Sequence, residues 1–188
     1  MSEQSNYQWA VHSETEPVHE IPSFFSRFSL TPAAARILIR RGISTEEAVS
    51  HFLYDTPEDL HDPFLMKGMN EAVPRILEAI KNREKIVIYG DYDVDGITST
   101  SVLLLGLRKL GAETDFYIPA REGEGYGLNG PALEKIAESG CRLLITVDCG
   151  ISSADLIDAK PEGMDIIITD HHVPPDRIPE ALAVLNPQ

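Results

Sequence analysis

Three short groups of residues carry the chemistry that this sequence can offer. Asp91, Asp93 and Asp95 alternate within Gly90-Asp91-Tyr92-Asp93-Val94-Asp95-Gly96, Asp148 opens Asp148-Cys149-Gly150, and Asp170 leads Asp170-His171-His172. Each group follows an apolar run short enough to be a buried strand. In an open parallel sheet, ligands bind beyond the carboxyl ends of the strands, so the three groups are expected to meet at one site. Carboxylates packed that closely repel one another, and keeping them ionised together needs a cation within a few ångströms. Hard oxygen ligands joined by one or two imidazoles favour manganese or magnesium over a structural zinc, and two ions are plausible for this donor set. Taken singly, an acid after a strand is as readily a helix N-cap that complements the helix dipole. Isolated histidines such as His12 and His61 read as surface residues. Convergence of the three groups is what favours a metal centre.

The elements that must position these residues are legible in the hydrophobic pattern. After Lys85 the rhythm is that of a parallel α/β sheet flanked by helices. Strands are expected at 86–89, 114–118, 143–147 and 166–169, with an edge strand at 183–185. Crossover helices are expected at 97–110, 131–139 and 152–159. Ahead of the sheet, Ala34, Ile37 and Leu38, then Ala48, Val49, Phe52 and Leu53, recur at helical spacing and predict a helical pair. Ser44 followed by Glu47 reads as a capping box for the second helix. A third helix over 69–82 presents Ala72, Ile76, Leu77 and Ile80 on one side, with Pro74 expected in its first turn. Residues 1–31 read as a leader without period, 32–84 as a helical segment and 85–188 as the α/β domain.

Composition narrows the setting without deciding the substrate. With 188 residues and 43% hydrophobic content, the chain can bury a sizeable core. Its two cysteines, Cys141 and Cys149, fit neither a zinc cluster nor a disulfide scaffold, which points to a reducing cytoplasmic compartment. The first twenty residues hold no apolar run, so neither a signal peptide nor a membrane span is expected there. A net charge of -14 opposes a polyanionic partner in general. Acids that ligate divalent ions nevertheless reverse the local field. Two rival motifs fail. An EF-hand starting at Asp91 would place Val102 where a bidentate glutamate is required. Gly90 and Gly96 are spaced wrongly for a dinucleotide loop, and acids stand where the pyrophosphate would lie.

Tyr89-Gly90-Asp91-Tyr92-Asp93-Val94-Asp95-Gly96 together with Asp170-His171-His172 resembles the signatures of the DHH phosphoesterase family. Within that family, Ile118-Pro119-Ala120-Arg121, Glu124-Gly125-Tyr126-Gly127-Leu128-Asn129 and Asp148-Cys149-Gly150 are similar to stretches of its RecJ branch. The resemblance runs from near Pro32 to Gln188. It implies that Asp93, Asp95, Asp148 and His171 coordinate two Mn2+ or Mg2+ ions, with Asp148 bridging them. It further implies that Asp91 and Asp170 orient ligands and that His172 faces a substrate phosphate. Tyr89 departs from the pattern, standing where many DHH phosphatases carry a further histidine ligand. The family's last carboxylate ligand and its C-terminal DHHA1 domain fall beyond Gln188, so the chain is expected to be a truncated catalytic part.

The reaction so implied is metal-dependent hydrolysis of single-stranded DNA, 5′ to 3′, releasing 5′-mononucleotides in DNA repair and recombination. A divalent ion would acidify the attacking water and stabilise charge on the phosphoryl oxygens. Arg121 is the candidate for gripping a phosphate with its planar fork, against the plainer reading of an ion pair with Glu122 or Glu124. Ser99 and Thr100 near a helix start are candidate donors to an anion or, equally, simple caps. Tyr126 is a candidate for stacking on a base, or a loop anchor. Cys149 is expected to be small buried packing. Partners implied by the resemblance are single-stranded DNA, a single-stranded-DNA-binding protein and a RecQ-type helicase. Competing readings are a DHH hydrolase of short oligonucleotides or cyclic dinucleotides, a receiver-like phosphoacceptor domain, which the adjacent histidines oppose, and a non-catalytic remnant that binds nucleic acid or a replication partner.

Overall fold

The computed structural model describes residues 20–120, 123, 125 and 127–188. The apolar runs beyond Lys85 form strands β1 Lys85–Tyr89, β2 Thr114–Tyr117, β3 Cys141–Val147, β4 Asp165–Thr169 and β5 Ala183–Leu185. They pair in parallel throughout, in the order β2-β1-β3-β4-β5. From β1 the chain moves outward to β2, then returns past β1 to β3 and proceeds the other way. Such a reversal leaves a crevice between the carboxyl ends of β1 and β3. The loops bearing Asp91 and Asp148 emerge there.

Among the described residues the α-helices are α1 Pro32–Arg40, α2 Glu46–Tyr54, α3 Met69–Asn82, α4 Val94–Lys109, α5 Gly130–Glu138 and α6 Ala154–Asp158. Alternation along β1 shows how the sheet is covered, because successive side chains point to opposite faces. Ile86 and Ile88 join Ala72 and Ala79 of α3 and Leu107 of α4, while Val87 and Tyr89 join Ala132, Leu133 and Ile136 of α5 and Ile157 of α6. β3 is the centre of both cores: Leu143, Leu144, Ile145 and Val147 are all buried. Each such side chain contributes about 1.5–3 kcal/mol on burial.

The chain divides into two compact units, one ending at His61 and the other spanning Asp62–Gln188. The first has its own small core of Phe25, Ala35, Leu38 and Val49. Its packing begins before Pro32, in the 3-10 turn Ser23–Phe28. The expected leader over 1–19 lies outside the described residues. α3 belongs by packing to the sheet, where Arg75 joins Glu84 at 2.6 Å and Asp165 at 2.7 Å.

Several local expectations are corrected. Thr45 rather than Ser44 caps α2, its hydroxyl accepting the Ala48 N–H at 3.2 Å. Pro74 is the sixth residue of α3 and so lies in the second turn, where the helix forgoes one hydrogen bond. α4 starts at Val94 rather than Ile97 because Asp93 Oδ1 accepts the Gly96 N–H at 3.0 Å and opens the helix early. α6 starts later than the pattern predicts, at Ala154. Ile37, Phe52 and Leu77, placed by periodicity on the apolar faces, are exposed within their units.

Candidate metal centre

Backbone geometry brings the Asp148 carboxylate to the crevice. Its N–H donates to the Thr169 carbonyl oxygen at 3.0 Å, extending the β3–β4 ladder by one residue. The chain then turns sharply: Asp148 is left-handed at φ 61° and Gly150 at φ 110°. A Cβ at Gly150 would meet Thr146 Oγ1 at 2.8 Å, and that hydroxyl already closes the turn by donating to the Cys149 carbonyl oxygen at 2.8 Å. A non-glycine residue at positive φ is uncommon, with aspartate among the residues that tolerate it, and such conformations gather at functional sites.

β4 ends in the histidines. Asp170, its side chain almost sealed from solvent, accepts N–H bonds from Ile151 at 3.0 Å, His171 at 2.8 Å and His172 at 3.1 Å. It also bonds His172 Nδ1 at 2.7 Å, which directs the Nε2 edge of that ring away from Asp170. Burial pushes the Asp170 carboxyl up, but the Ile151 and His172 N–H groups and the His172 ring outweigh it and hold the carboxyl below its ordinary range. His172 is raised correspondingly, first by that same bond to Asp170. His171 Nε2 lies 2.8 Å from Asp148 Oδ1, and the two imidazole rings are tilted by 37° with centroids 4.5 Å apart. Asp148 itself is raised, by burial and by the nearby Asp93 charge, against the lowering effect of His171.

Donor atoms of Asp148, His171 and His172 all lie within 4.8 Å of one another. Two ligand atoms on one small divalent ion are at most roughly 4.2 Å apart, so slight side-chain shifts would seat a cation. The residues present therefore fit a divalent metal. Asp93 stands outside this group but close enough to raise both Asp148 and His172, and one of its oxygens is committed to capping α4. Asp95 is exposed in the first turn of α4 and does not join the group.

Asp91 is wholly buried. Its Oδ1 accepts the Tyr92 N–H at 2.7 Å, and its Oδ2 has no hydrogen-bond partner. A Cβ at Gly96 would meet the Asp91 backbone oxygen at 2.4 Å and nitrogen at 2.5 Å, so glycine is required for the first turn of α4 to close over this aspartate. Cys149 lies among the acids: burial pushes its thiol far up, and Asp170, Asp91 and Asp148 add to that shift. Carboxylates at the ends of β1, β3 and β4 thus all act electrostatically on one buried sulfur, while of the three sequence groups only Asp148 and the two histidines bring donor atoms together.

Two crevices of about 280 Å³ flank the cluster, and Asp170 lines both. One is bounded by Met66, Ser99, Thr169, Leu185 and Pro187 with Asp148 and His171, and the other by Gly127, residues 149–153 and His172. Ser99 therefore faces the site, whereas Thr100 is buried with its hydroxyl sealed against Gly90. Arg121 and Tyr126 lie outside the described residues. Sequence reasoning missed two contributors: the Ile151 N–H on Asp170, and the Tyr89 hydroxyl, which donates to the Gly127 carbonyl oxygen at 2.9 Å instead of standing in for a ligand. A backbone donor leaves no mark in side-chain identity, and the partner of a buried tyrosine is set by the fold.

Residues 85–188 match the model of the DHH family, N-terminal domain. The chain is 45% identical over 185 residues to the single-stranded-DNA-specific exonuclease RecJ of Bacillus subtilis, covering 98% of this chain and 23% of that protein. It is 36% identical over 166 residues to the RecJ of Thermus thermophilus, covering 83% and 24%. Among solved structures, RecJ from Thermus thermophilus in complex with Mn2+ is similar with a TM-score of 0.63 and 32% identity, covering 87% of this chain and 22% of that one. An exonuclease RecJ bound to manganese is similar with a TM-score of 0.60 and 40% identity, covering 65% and 31%. The chain spans about a quarter of the length of these curated relatives.

Proposed function

Because this chain belongs to the DHH family, we propose that it is the N-terminal catalytic part of a RecJ-type exonuclease, which hydrolyses single-stranded DNA from 5′ to 3′ with Mn2+ or Mg2+. The observation that carries the reading is the cluster of Asp148, His171 and His172 at the sheet's switch point, with Asp93 beside it. We assign Asp93, Asp95, Asp148 and His171 as metal ligands. Bound there, divalent ions would supply positive charge to the phosphoryl oxygens and would acidify the attacking water. Asp170 fixes the His172 ring, and the outer edge of that ring serves the substrate phosphate. Asp91 keeps the β1–α4 turn in shape from beneath, by way of the Tyr92 N–H. Ser99 lines the crevice as a donor to the strand, and Arg121 and Tyr126 are assigned to phosphate and base on sequence grounds alone.

The cytoplasmic setting, the role in repair and recombination, and the single-stranded-DNA-binding protein and RecQ-type helicase as partners belong to the same proposal. Among the described residues no helix is long and apolar enough to cross a membrane. The test is digestion of 5′-phosphorylated single strands by the longest protein that contains these residues. Mn2+-dependent release of 5′-mononucleotides, abolished by Asp148→Ala, is expected. Cleavage confined to very short oligonucleotides would favour the alternative DHH hydrolase, and cleavage that survives Asp148→Ala would remove the assignment.

A further inference from the structure

Tyr89 is fully buried at the last position of β1, directly before Gly90-Asp91. A phenol hydroxyl in such a place needs polar partners. It finds them in the loop that leads into α5, donating to the Gly127 carbonyl oxygen at 2.9 Å and accepting from Asn129 Nδ2 at 3.2 Å. Its ring stacks on Tyr117 with centroids 5.4 Å apart. Asn129 is itself fixed, because its Oδ1 accepts the Ala132 N–H at 2.9 Å and caps α5. Gly127 is thereby tied to β1 and to α5 together. That glycine lines the crevice beside His172, as do Ile151 and Asp170, which the Ile151 N–H joins at 3.0 Å.

We infer that Tyr89 is a positioning residue that, by holding Gly127, sets the width of the crevice through which a phosphate of the nucleic-acid strand reaches His172. The inference rests on the phosphodiesterase reading of the cluster. Phenylalanine would keep the volume and the stacking on Tyr117 but leave the Gly127 oxygen and Asn129 Nδ2 without this partner. The loop would then loosen while the carboxylates stay in place.

The experiment compares wild type with Tyr89→Phe in the whole chain, by hydrogen exchange, by Mn2+ titration, and by binding of a 5′-phosphorylated phosphorothioate oligothymidylate with Mn2+ present. Exchange of the 127–129 amides is expected to quicken about tenfold, as for the loss of one buried hydrogen bond. The β3 amides should keep their protection. Oligonucleotide affinity should weaken by a similar factor with Mn2+ affinity unchanged. Asn129→Ser still caps α5 and leaves the Gly127 carbonyl within reach of Tyr89, but it removes the donor that fixes the phenol hydroxyl, so a smaller change of the same sign is expected, and it decides the matter if Tyr89→Phe does not fold. Wild-type exchange and oligonucleotide affinity in the variants would overturn the inference, as would a fall in Mn2+ affinity alone. Should wild type take up neither Mn2+ nor oligonucleotide, the phosphodiesterase reading fails, and amide exchange at Gly127 still judges the role of the hydroxyl.

Discussion

Asp148 combines two unfavourable features in one residue, a left-handed backbone and a buried carboxylate beside Asp93. Both cost stability in the metal-free chain, and a bound cation offsets the second. Asp148→Gly relieves both, the backbone part alone being about 1 kcal/mol. The variant is therefore expected to melt no lower than wild type without metal, yet to gain no stability from Mn2+; a large fall in metal-free melting temperature would show that the side chain serves structure instead. The cysteines offer a pH-dependent check. Burial pushes the Cys141 thiol up to about 11 and Cys149 further still. Since the folded state holds these protons more tightly than the unfolded one, their contribution to stability is full below the ordinary thiol value and is lost as pH rises past it. Neither thiol should react with a disulfide reagent at mildly alkaline pH until the chain is unfolded in guanidinium, and rapid labelling of the native protein would contradict the packing described. At this scale Asp148, His171 and His172 stand out in the sequence because carboxylate and imidazole side chains announce their chemistry, and the fold brings the three together. The place of Asp95 was not, since an alternating run of acids does not say which of them turns inward once a helix starts among them.

Elements were read well where burial alone decides them. The five strands follow from apolar runs, and the order β2-β1-β3-β4-β5 accounts for why their ends converge. Boundaries were read less well, because they depend on single hydrogen bonds: Asp93 opens α4 three residues early, and Thr45 displaces Ser44 as a cap. α3 shows a further limit, since its period is helical wherever it packs and only the folded chain reveals that it covers the sheet. Arg75 secures that arrangement by reaching Glu84 and, at the start of β4, Asp165. Burial raises the Glu84 carboxyl, but the bonds from Arg75 and Asn82 and the charges of Arg75 and Arg142 together outweigh it and leave it below its ordinary range. Removing one partner of a mostly buried pair strands the others, so Arg75→Ala should destabilise by about 3 kcal/mol in urea unfolding, and Arg75→Met by less. A cost no greater than that of a typical exposed pair, at most about 1 kcal/mol, would show the network to be incidental.

For the whole molecule the controlling quantity is its charge of -14, set by 30 acids against 16 lysines and arginines. Self-repulsion of that size destabilises the compact state and is screened by salt. Monovalent salt should thus raise the melting temperature smoothly and alike in wild type and in site variants, while a resident divalent ion should add a saturable gain in wild type alone. Free Mn2+ at about a hundred times its dissociation constant is worth about 2.7 kcal/mol. The most direct measurement is a calorimetric titration of the chain with Mn2+ at fixed ionic strength, repeated on Asp148→Ala. Saturable binding in wild type that vanishes in the variant is the predicted result; equal binding by both proteins, or none by wild type, would contradict the metal centre on which the proposed chemistry stands.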